Sequence, residues 1–180
     1  MKDLSRLRRN AHLPLALIAL ALARPSLVSY GLGSALVLLG IGLRAWAAGF
    51  LMKGGELCTE GPYRHIRHPL YLGSFLGAIG LSVMTNSIWG WVLVLPLFLL
   101  VYAAQVVAEE RYLRSQYGRA HDQWASRVPL LLPRLRAGIA ASDQPWRWSQ
   151  FVANREHYHV LLTLLLVALF FAKWQWWPAR

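Results

Sequence analysis

Long apolar blocks alternate with short polar segments along most of this 180-residue chain. The apolar blocks cover residues 13–30, 31–52, 69–85, 88–108 and 157–172. Each approaches the roughly 20 residues that an α-helix needs to cross the hydrocarbon core of a bilayer. The pattern therefore predicts an all-α fold, a polytopic transmembrane helix bundle with about five membrane helices.

Local signals refine the ends of these predicted helices. Arg24 and Pro25 interrupt the first block, so its uninterrupted part is short for a full crossing, and Arg24 is expected to reach the far interface. Only residues 86–87 separate the third and fourth blocks, which predicts a tight helical hairpin. Pro96 is expected to kink the fourth helix, and Gly118 to end its continuation beyond the membrane.

The second block carries a charge and several small residues. Arg44 is expensive at that depth unless it faces protein, water or headgroups, so it either snorkels to the near interface or faces a ligand. Glycines in this block allow close contact with a neighbouring helix; they are Gly31, Gly33, Gly40, Gly42 and Gly49.

The polar regions predict short elements outside the membrane. A connector spans residues 53–68, and residues 120–128 can form a short helix after the fourth block. We interpret residues 1–180 as one integral membrane domain. Its core covers 13–136, and 137–180 adds an interfacial segment and a further C-terminal membrane helix.

Composition and charge place the polar regions on one side. The chain is 56% hydrophobic and only 15% charged, with a net charge of +11. Because 15 of the 19 Lys and Arg fall in the N-terminal segment, the connector and residues 111–155, that side is expected to be cytoplasmic. The basic residues lie between apolar blocks, so we expect contact with a lipid bilayer and not with nucleic acid. The predicted location is a bacterial inner membrane, with no cleavable signal peptide.

The connector ends in a polar run at the start of the third helix. Its cationic and hydrogen-bonding side chains are Arg64, His65, Arg67, His68 and Tyr71. Pro69 suits a first helical position, and the helix N-terminus beyond it suits a carboxylate. The run is either a ligand site or a basic loop that only fixes topology.

The predicted hairpin brings acids to this run. The third helix starts where the fourth one ends, so Arg67, His68 and Tyr71 are expected beside Glu109 and Glu110. Both charge signs at one point indicate a polar ligand, or else a simple salt-bridge cluster between helix ends. No metal site is predicted, because the six histidines have no suitable spacing and Cys58 is the only cysteine.

Three sequence blocks resemble one enzyme superfamily. The first is Leu-Cys-Thr-Glu-Gly-Pro-Tyr at 57–63, leading into Arg-His-Pro-Leu-Tyr-Leu-Gly at 67–73; the second is the acidic pair at 109–110; the third is Arg-Val-Pro at 127–129. In this order they resemble the isoprenylcysteine carboxyl methyltransferase / phospholipid methyltransferase superfamily of integral membrane enzymes.

The resemblance implies S-adenosylmethionine as cofactor and a lipophilic acceptor, either an isoprenylcysteine-like carboxylate or a lipid headgroup. It implies Arg127 as a substrate contact and assigns no catalytic residue. The residues that it implies as cofactor contacts are Gly55, Glu56, Leu57, Cys58, Tyr63, His68, Pro69, Leu70, Tyr71 and Glu110.

Two other functions remain open from the sequence. An NADPH-dependent membrane reductase of sterol type shares the Arg-His-Pro-x-Tyr block, although the acidic pair fits a 2′-phosphate poorly. A non-catalytic membrane scaffold or sensor that keeps the ligand pocket is the other. One departure weakens an isoprenylcysteine substrate: eukaryotic members carry an arginine shortly before the acidic pair, whereas residues 102–107 contain no cation.

Overall fold

The computed structural model describes residues 14, 16–52, 55–140 and 143–176. The described residues form helices and no strand. The basic N-terminal segment lies outside them. The helices are α1 (16–22), α2 (Leu27–Ala48), α3 (Pro69–Thr85), α4 (Leu95–Tyr117), α5 (Arg119–Arg127), α6 (Trp148–Ala153) and α7 (Glu156–Trp176), with a 3₁₀ turn at Gly61–Arg64 and a π-helical turn at Gly90–Val94.

Three of the described helices are long and apolar enough to cross a membrane. They are Leu27–Ala48, Gly90–Tyr117 and Glu156–Trp176, while Pro69–Thr85 is a shorter apolar helix. An integral membrane protein built from helices is therefore confirmed. The predicted count of five crossings is not, since α3 and the described part of α1 fall short of that length.

The first apolar block is not one helix, and its predicted extent of 13–30 was wrong. The backbone leaves the helical conformation at residues 23–26, and α2 already begins at Leu27. Pro25 lacks an N–H, and Ser26 then caps α2 by accepting a hydrogen bond from the backbone N–H of Ser29 at 3.2 Å. The Ser29 hydroxyl accepts the return bond from the Ser26 N–H at 2.9 Å. A capping box thus overrides the apolar pattern.

Helices α2 and α3 lie unusually close together along a seam of glycines. A Cβ atom added at Gly40 would lie 2.4 Å from the carbonyl oxygen of Gly73, and one at Gly80 would lie 2.6 Å from that of Gly33. Both glycines of α2 therefore have the packing role predicted for them. Open space surrounds two others, Gly31 and Gly42.

The hairpin between α3 and α4 is as tight as predicted. Asn86 ends α3 in the left-handed conformation, with φ of 46°. The π-helical turn Gly90–Val94 follows, just before the predicted kink at Pro96, and Ser82 donates to the Gly90 carbonyl at 3.0 Å. At its other end, α4 is capped by Gly118, whose N–H donates to the Arg114 carbonyl at 2.9 Å.

The chain after α5 lies along the connector. The N–H of Arg67 donates to the Pro129 carbonyl at 2.9 Å, and the N–H of Arg134 donates to the His65 carbonyl at 3.1 Å. The predicted short helix, found here as Arg119–Arg127, is thereby held over the turn that precedes α3.

The last helix, α7, packs along α2 and reaches α1. The Lys173 ammonium donates to the carbonyl oxygens of Leu20 and Ala21, at 2.6 and 3.0 Å. These carbonyls belong to the last turn of α1, where helical carbonyls lack intrahelical partners.

Candidate functional site

The start of α3 and the far end of α4 meet, as the hairpin predicts. His68 Nε2 lies 2.8 Å from Glu110 Oε1, and the Arg67 guanidinium donates to Glu110 Oε2. The Tyr71 hydroxyl donates to Glu109 Oε2 at 2.5 Å. The expected approach of the basic run to the acidic pair is therefore confirmed; whether these residues bind a ligand remains a prediction.

Two buried nitrogen atoms beside Glu110 have no hydrogen-bond partner. One is Arg67 Nε and the other is His121 Nε2, which lies 3.7 Å from Glu110 Oε2. The His121 side chain is only 4% exposed. Buried polar atoms are nearly always hydrogen-bonded, so two nitrogen atoms without a hydrogen-bond partner around one carboxylate need an explanation. A bound polar ligand would supply one.

An aromatic wall continues from the acidic pair into the bundle. The rings of Tyr71 and Tyr102 meet edge to face with centroids 5.4 Å apart, and Phe98 stacks on Tyr102 at 3.9 Å. His68 contacts the Tyr71 ring at 5.4 Å. The cluster therefore has a polar mouth at the helix ends and an apolar, rigid back.

A cavity of about 740 Å³ lies between the connector and α5. Its volume falls within the roughly 300–1,000 Å³ typical of small-molecule sites. The Tyr117 hydroxyl donates to the Gly55 carbonyl at 2.7 Å and fixes the connector at its edge. The cavity is lined by Gly55, Glu56, Leu57, Thr59, Tyr117, Ala120, Gln123, Trp124, Arg127 and Ile139.

A packed layer of buried side chains lies behind the wall of this cavity. Trp124 is buried and its indole N–H donates to the Tyr63 carbonyl at 3.1 Å. Burial, the largest cause, raises the pKa of the Tyr63 hydroxyl well above its ordinary value, with the nearby Cys58 and Glu109 adding to the rise. Burial likewise raises the pKa of the Cys58 thiol to about 11, so this thiol is protonated at neutral pH.

The structure divides the predicted site residues into three neighbouring groups. Gly55, Glu56, Leu57 and Arg127 line the cavity. His68, Pro69, Leu70, Tyr71 and Glu110 gather at the α3–α4 junction. Tyr63 and Cys58 belong to the packed layer behind the cavity wall.

Sequence reasoning did not select four residues that the geometry adds, namely Tyr117, His121, Gln123 and Trp124. Three of them line the cavity, and His121 faces Glu110. The spacing of residues 120, 124 and 127 on α5 places them on one helical face, and that signal was available in the sequence.

Arg44 does not snorkel to the near interface, and whether it faces a ligand remains a prediction. It forms a two-point ion pair with Glu156 at the start of α7, with Nε at 2.6 Å from Oε1 and Nη2 at 2.9 Å from Oε2. The charge is neutralised inside the protein by a residue 112 positions away. Snorkelling and ligand contact are therefore not needed to account for it.

A second, mostly apolar cavity of about 220 Å³ lies between the membrane-length helices and α3. Its walls come from α1, α2, α3, α4 and α7, including Val37, Leu81, Phe98 and Leu166. Arg44, Ser74 and Glu156 form its polar part. Among the residues that the structure describes, no group of three or more His, Cys, Asp or Glu side chains could hold a metal ion.

Long apolar helices, a polar cluster with unpaired hydrogen-bonding atoms and an adjacent cavity occur together here. This combination is typical of a membrane enzyme site. Residues 28–120 match the phospholipid methyltransferase family, which is just over half of the chain. The chain therefore belongs to the phospholipid methyltransferase family. This confirms the superfamily that the three motif blocks predict, and with it the methyltransferase class.

Two of the individual relatives are named for metal resistance. The chain is 40% identical over 94 residues to the nickel-cobalt-cadmium resistance protein NccN of Alcaligenes xylosoxydans xylosoxydans, covering 51% of this chain and 44% of the relative. It is 37% identical over 133 residues to the cobalt-zinc-cadmium resistance protein CzcN of Cupriavidus metallidurans, covering 72% and 60%.

A third relative is the protein-S-isoprenylcysteine O-methyltransferase of Schizosaccharomyces pombe, 30% identical over 81 residues, which cover 45% of this chain and 34% of the relative. The matches span 60% or less of each of these three relatives. No solved structure matches the chain significantly.

Proposed function

We propose that this protein is a membrane methyltransferase that takes a methyl group from S-adenosylmethionine and transfers it to a lipophilic acceptor. The observation that carries the proposal is the Glu110 carboxylate, surrounded by Arg67, His68 and His121 with two nitrogen atoms unpaired. Membership of the phospholipid methyltransferase family supports the same reaction.

The residues at the junction fit the charged end of such a cofactor. A carboxylate offers about four acceptor sites, so Glu110 can bind an ammonium group while it keeps its bonds to Arg67 and His68. The unpaired nitrogens of Arg67 and His121 suit the cofactor's carboxylate, aided by the positive end of α3.

The neighbouring cavity fits the cofactor's adenosine portion. Trp124 and Leu57 supply apolar surface, and Gln123, Thr59 and backbone groups of the connector supply polar contacts. Tyr63 and Cys58 support these walls from behind, and burial raises the pKa values of both side chains further above pH 7. Apolar walls with a few placed polar groups are typical of cofactor pockets.

Bound S-adenosylmethionine would supply a methyl group on a sulfonium, whose carbon–sulfur bond would break, leaving a neutral thioether, as a lone pair of the acceptor formed the new bond. This displacement needs alignment and exclusion of water more than it needs a covalent residue. The buried ring of Tyr71, held by Glu109, and the stacked pair of Phe98 and Tyr102 are suited to both tasks. A carboxylate acceptor arrives as its own nucleophile and needs no general base.

The apolar cavity beneath the junction supports a lipophilic acceptor. Its walls are aliphatic and aromatic over most of their area, and it lies at the depth of the membrane-length helices. Arg127, exposed on α5 at the edge of the larger cavity, is placed to attract an anionic acceptor group. We assign the junction to the cytoplasmic face of a bacterial inner membrane, on the distribution of Lys and Arg.

Calorimetry on the purified protein in detergent tests the cofactor. We expect saturable binding of S-adenosylhomocysteine, the demethylated product, and a loss of that binding in Glu110→Gln. Asp143→Asn is a matched control, because it removes an exposed carboxylate in the segment before α6. Binding of NADPH instead would favour the reductase, and binding of neither ligand would favour a scaffold or sensor.

A transfer assay then tests the acceptor. The protein is incubated with methyl-labelled S-adenosylmethionine and a membrane lipid extract, and label is followed into the organic and aqueous fractions. Label in a lipid species supports the proposal, whereas label confined to water-soluble acceptors contradicts the lipophilic assignment.

A further inference from the structure

One arginine joins the C-terminal helix to the first turn of α3. Arg44 on α2 is held at two points by Glu156, as described above. Its remaining terminal nitrogen, Nη1, donates to the Ser74 hydroxyl at 2.6 Å and to the Leu70 carbonyl at 3.2 Å. Ser74 also donates to that carbonyl, at 3.0 Å. Leu70 directly precedes Tyr71, so the contact reaches the turn that carries the candidate site.

The close fit of α3 on this arginine depends on a missing side chain. A Cβ atom at Gly73 would lie 2.6 Å from Cγ of Arg44 and 2.6 Å from the Gly40 carbonyl oxygen. The arginine thus occupies space that only glycine leaves open. Its side chain is a support against which the first turn of α3 rests.

The turn before α7 has an unfavourable backbone conformation. This turn places Glu156 next to Arg44. Arg155 has a φ of 59°, in the left-handed region that non-glycine residues seldom adopt. Asn154 anchors the turn, because its amide nitrogen donates to the carbonyls of Ala48 and Leu51 at 2.9 and 2.7 Å. Glu156 itself is only 3% exposed. Such strain persists where the surrounding contacts determine it, and it often accompanies functional sites.

We propose that Glu156 is a positioning residue of the site: through Arg44 it fixes the first turn of α3, and so sets Tyr71 and His68 against the acidic pair. Glu156 lies outside residues 28–120, which match the family. The C-terminal helix is therefore part of the working site in this chain and adds more than packing. The cofactor aspect of this inference rests on the proposed function.

Two kinds of variant test this role. Glu156→Gln keeps one oxygen acceptor for Arg44 but removes the charge. The double variant Arg44→Met, Glu156→Leu removes the polar link, and it guards against simple unfolding because apolar replacement of a buried ion pair is generally tolerated. Asp143→Asn, in the exposed segment before α6, is the control for loss of one carboxylate.

We expect S-adenosylhomocysteine to bind the double variant about tenfold more weakly and Glu156→Gln about threefold more weakly, with the control unchanged. Hydrogen exchange at the backbone amides of residues 70–75 should rise in the same order, while the melting temperature of the double variant stays near that of the parent.

A purely structural role for the ion pair predicts the opposite pattern, with parental affinity and parental exchange in a folded double variant. That result would overturn the inference. The exchange measurement needs no cofactor, so it decides the role of Glu156 even if the parent protein binds no S-adenosylhomocysteine. In that case the proposed function fails separately.

Discussion

Two clusters of acidic and basic side chains contact the start of α3. They differ in how fully their polar atoms are paired. In the deeper cluster, Arg44 uses Nε, Nη1 and Nη2 on Glu156, Ser74 and the Leu70 carbonyl. In the outer cluster, Glu110 is surrounded by three cationic or potentially cationic side chains, and two of their nitrogens remain unpaired.

The difference teaches how to separate an ion pair that is complete within the protein from a cluster that can take a ligand. A buried pair whose donors are all satisfied needs no further partner, and removing one of its two members leaves a buried charge unpaired, which costs stability. A cluster with unpaired buried nitrogen atoms beside a cavity has a polar deficit that a ligand can fill. Removal of one charged partner should therefore have its larger effect on stability in the deeper cluster and on ligand affinity in the outer one.

The largest effect on stability is expected for Glu156→Ala. It leaves the Arg44 charge buried without its partner, which costs about 3–5 kcal/mol for comparable pairs. The measurement is thermal or denaturant unfolding of the purified protein in one detergent. Asp143→Asn serves as the control, and equal stability of the two variants would show that the deeper cluster is not a buried pair in the membrane protein.

Glu110→Gln is expected to lose less stability and more ligand affinity. The carboxylate is 21% exposed, and loss of one charged hydrogen-bond acceptor costs about 1.5–3 kcal/mol before relaxation. Binding of S-adenosylhomocysteine should fall at least about tenfold, since a charge-assisted contact is removed. Calorimetry and unfolding on the same sample compare the two losses. A larger loss of stability than in Glu156→Ala would reverse the assignment of the two clusters.

His121→Phe should weaken ligand binding without destabilising the fold. The residue is buried and its Nε2 has no hydrogen-bond partner, so an apolar ring removes an unsatisfied atom. We expect stability within about 1 kcal/mol of the parent or higher, and a severalfold weaker affinity for S-adenosylhomocysteine. A clear drop in melting temperature at unchanged affinity would show that His121 supports the fold and does not bind the ligand.

The smallest effect is expected on the reactivity of Cys58, in the packed layer behind the cavity wall. The Cys58 thiol has its pKa raised to about 11, chiefly by burial, and only the thiolate reacts with alkylating reagents. The alkylation rate should therefore rise through about pH 11, well above the range near pH 8.5 of an unperturbed thiol. Mass spectrometry of the folded protein measures the rate, and the urea-unfolded chain is the control. A folded-state midpoint near 8.5 would mean that this layer is open to water.

The sequence predicts the outer cluster well because its parts are linked by a short hairpin. Only residues 86–87 are non-helical between α3 and the helical run 88–117 that contains α4, so the Arg67–His68 step and the acidic pair must meet at one end. Gly118 and the short helix after it were also predictable, since a glycine C-cap is a local signal. The three motif blocks identified the superfamily for the same reason: each block is contiguous in sequence.

The deeper cluster was not predictable from the sequence. Arg44 and Glu156 are 112 residues apart, and neither residue has a local pattern that points to the other. The start of α2 was missed because serine capping at Ser26 and Ser29 is a detail of a few atoms inside an apolar run. The position of His121 beside Glu110 depends on how the segment after α5 holds α5 over the connector, and that is a tertiary contact.

The contact between Lys173 and the last turn of α1 has a consequence for biogenesis. The two chain carbonyls that the ammonium covers are made some 150 residues before it. During synthesis the last turn of α1 therefore lacks the contact with Lys173 until the final helix inserts. Completion of the bundle is a late event, and truncation before Lys173 should leave a loosened amino-terminal helix even when the central hairpin has already formed.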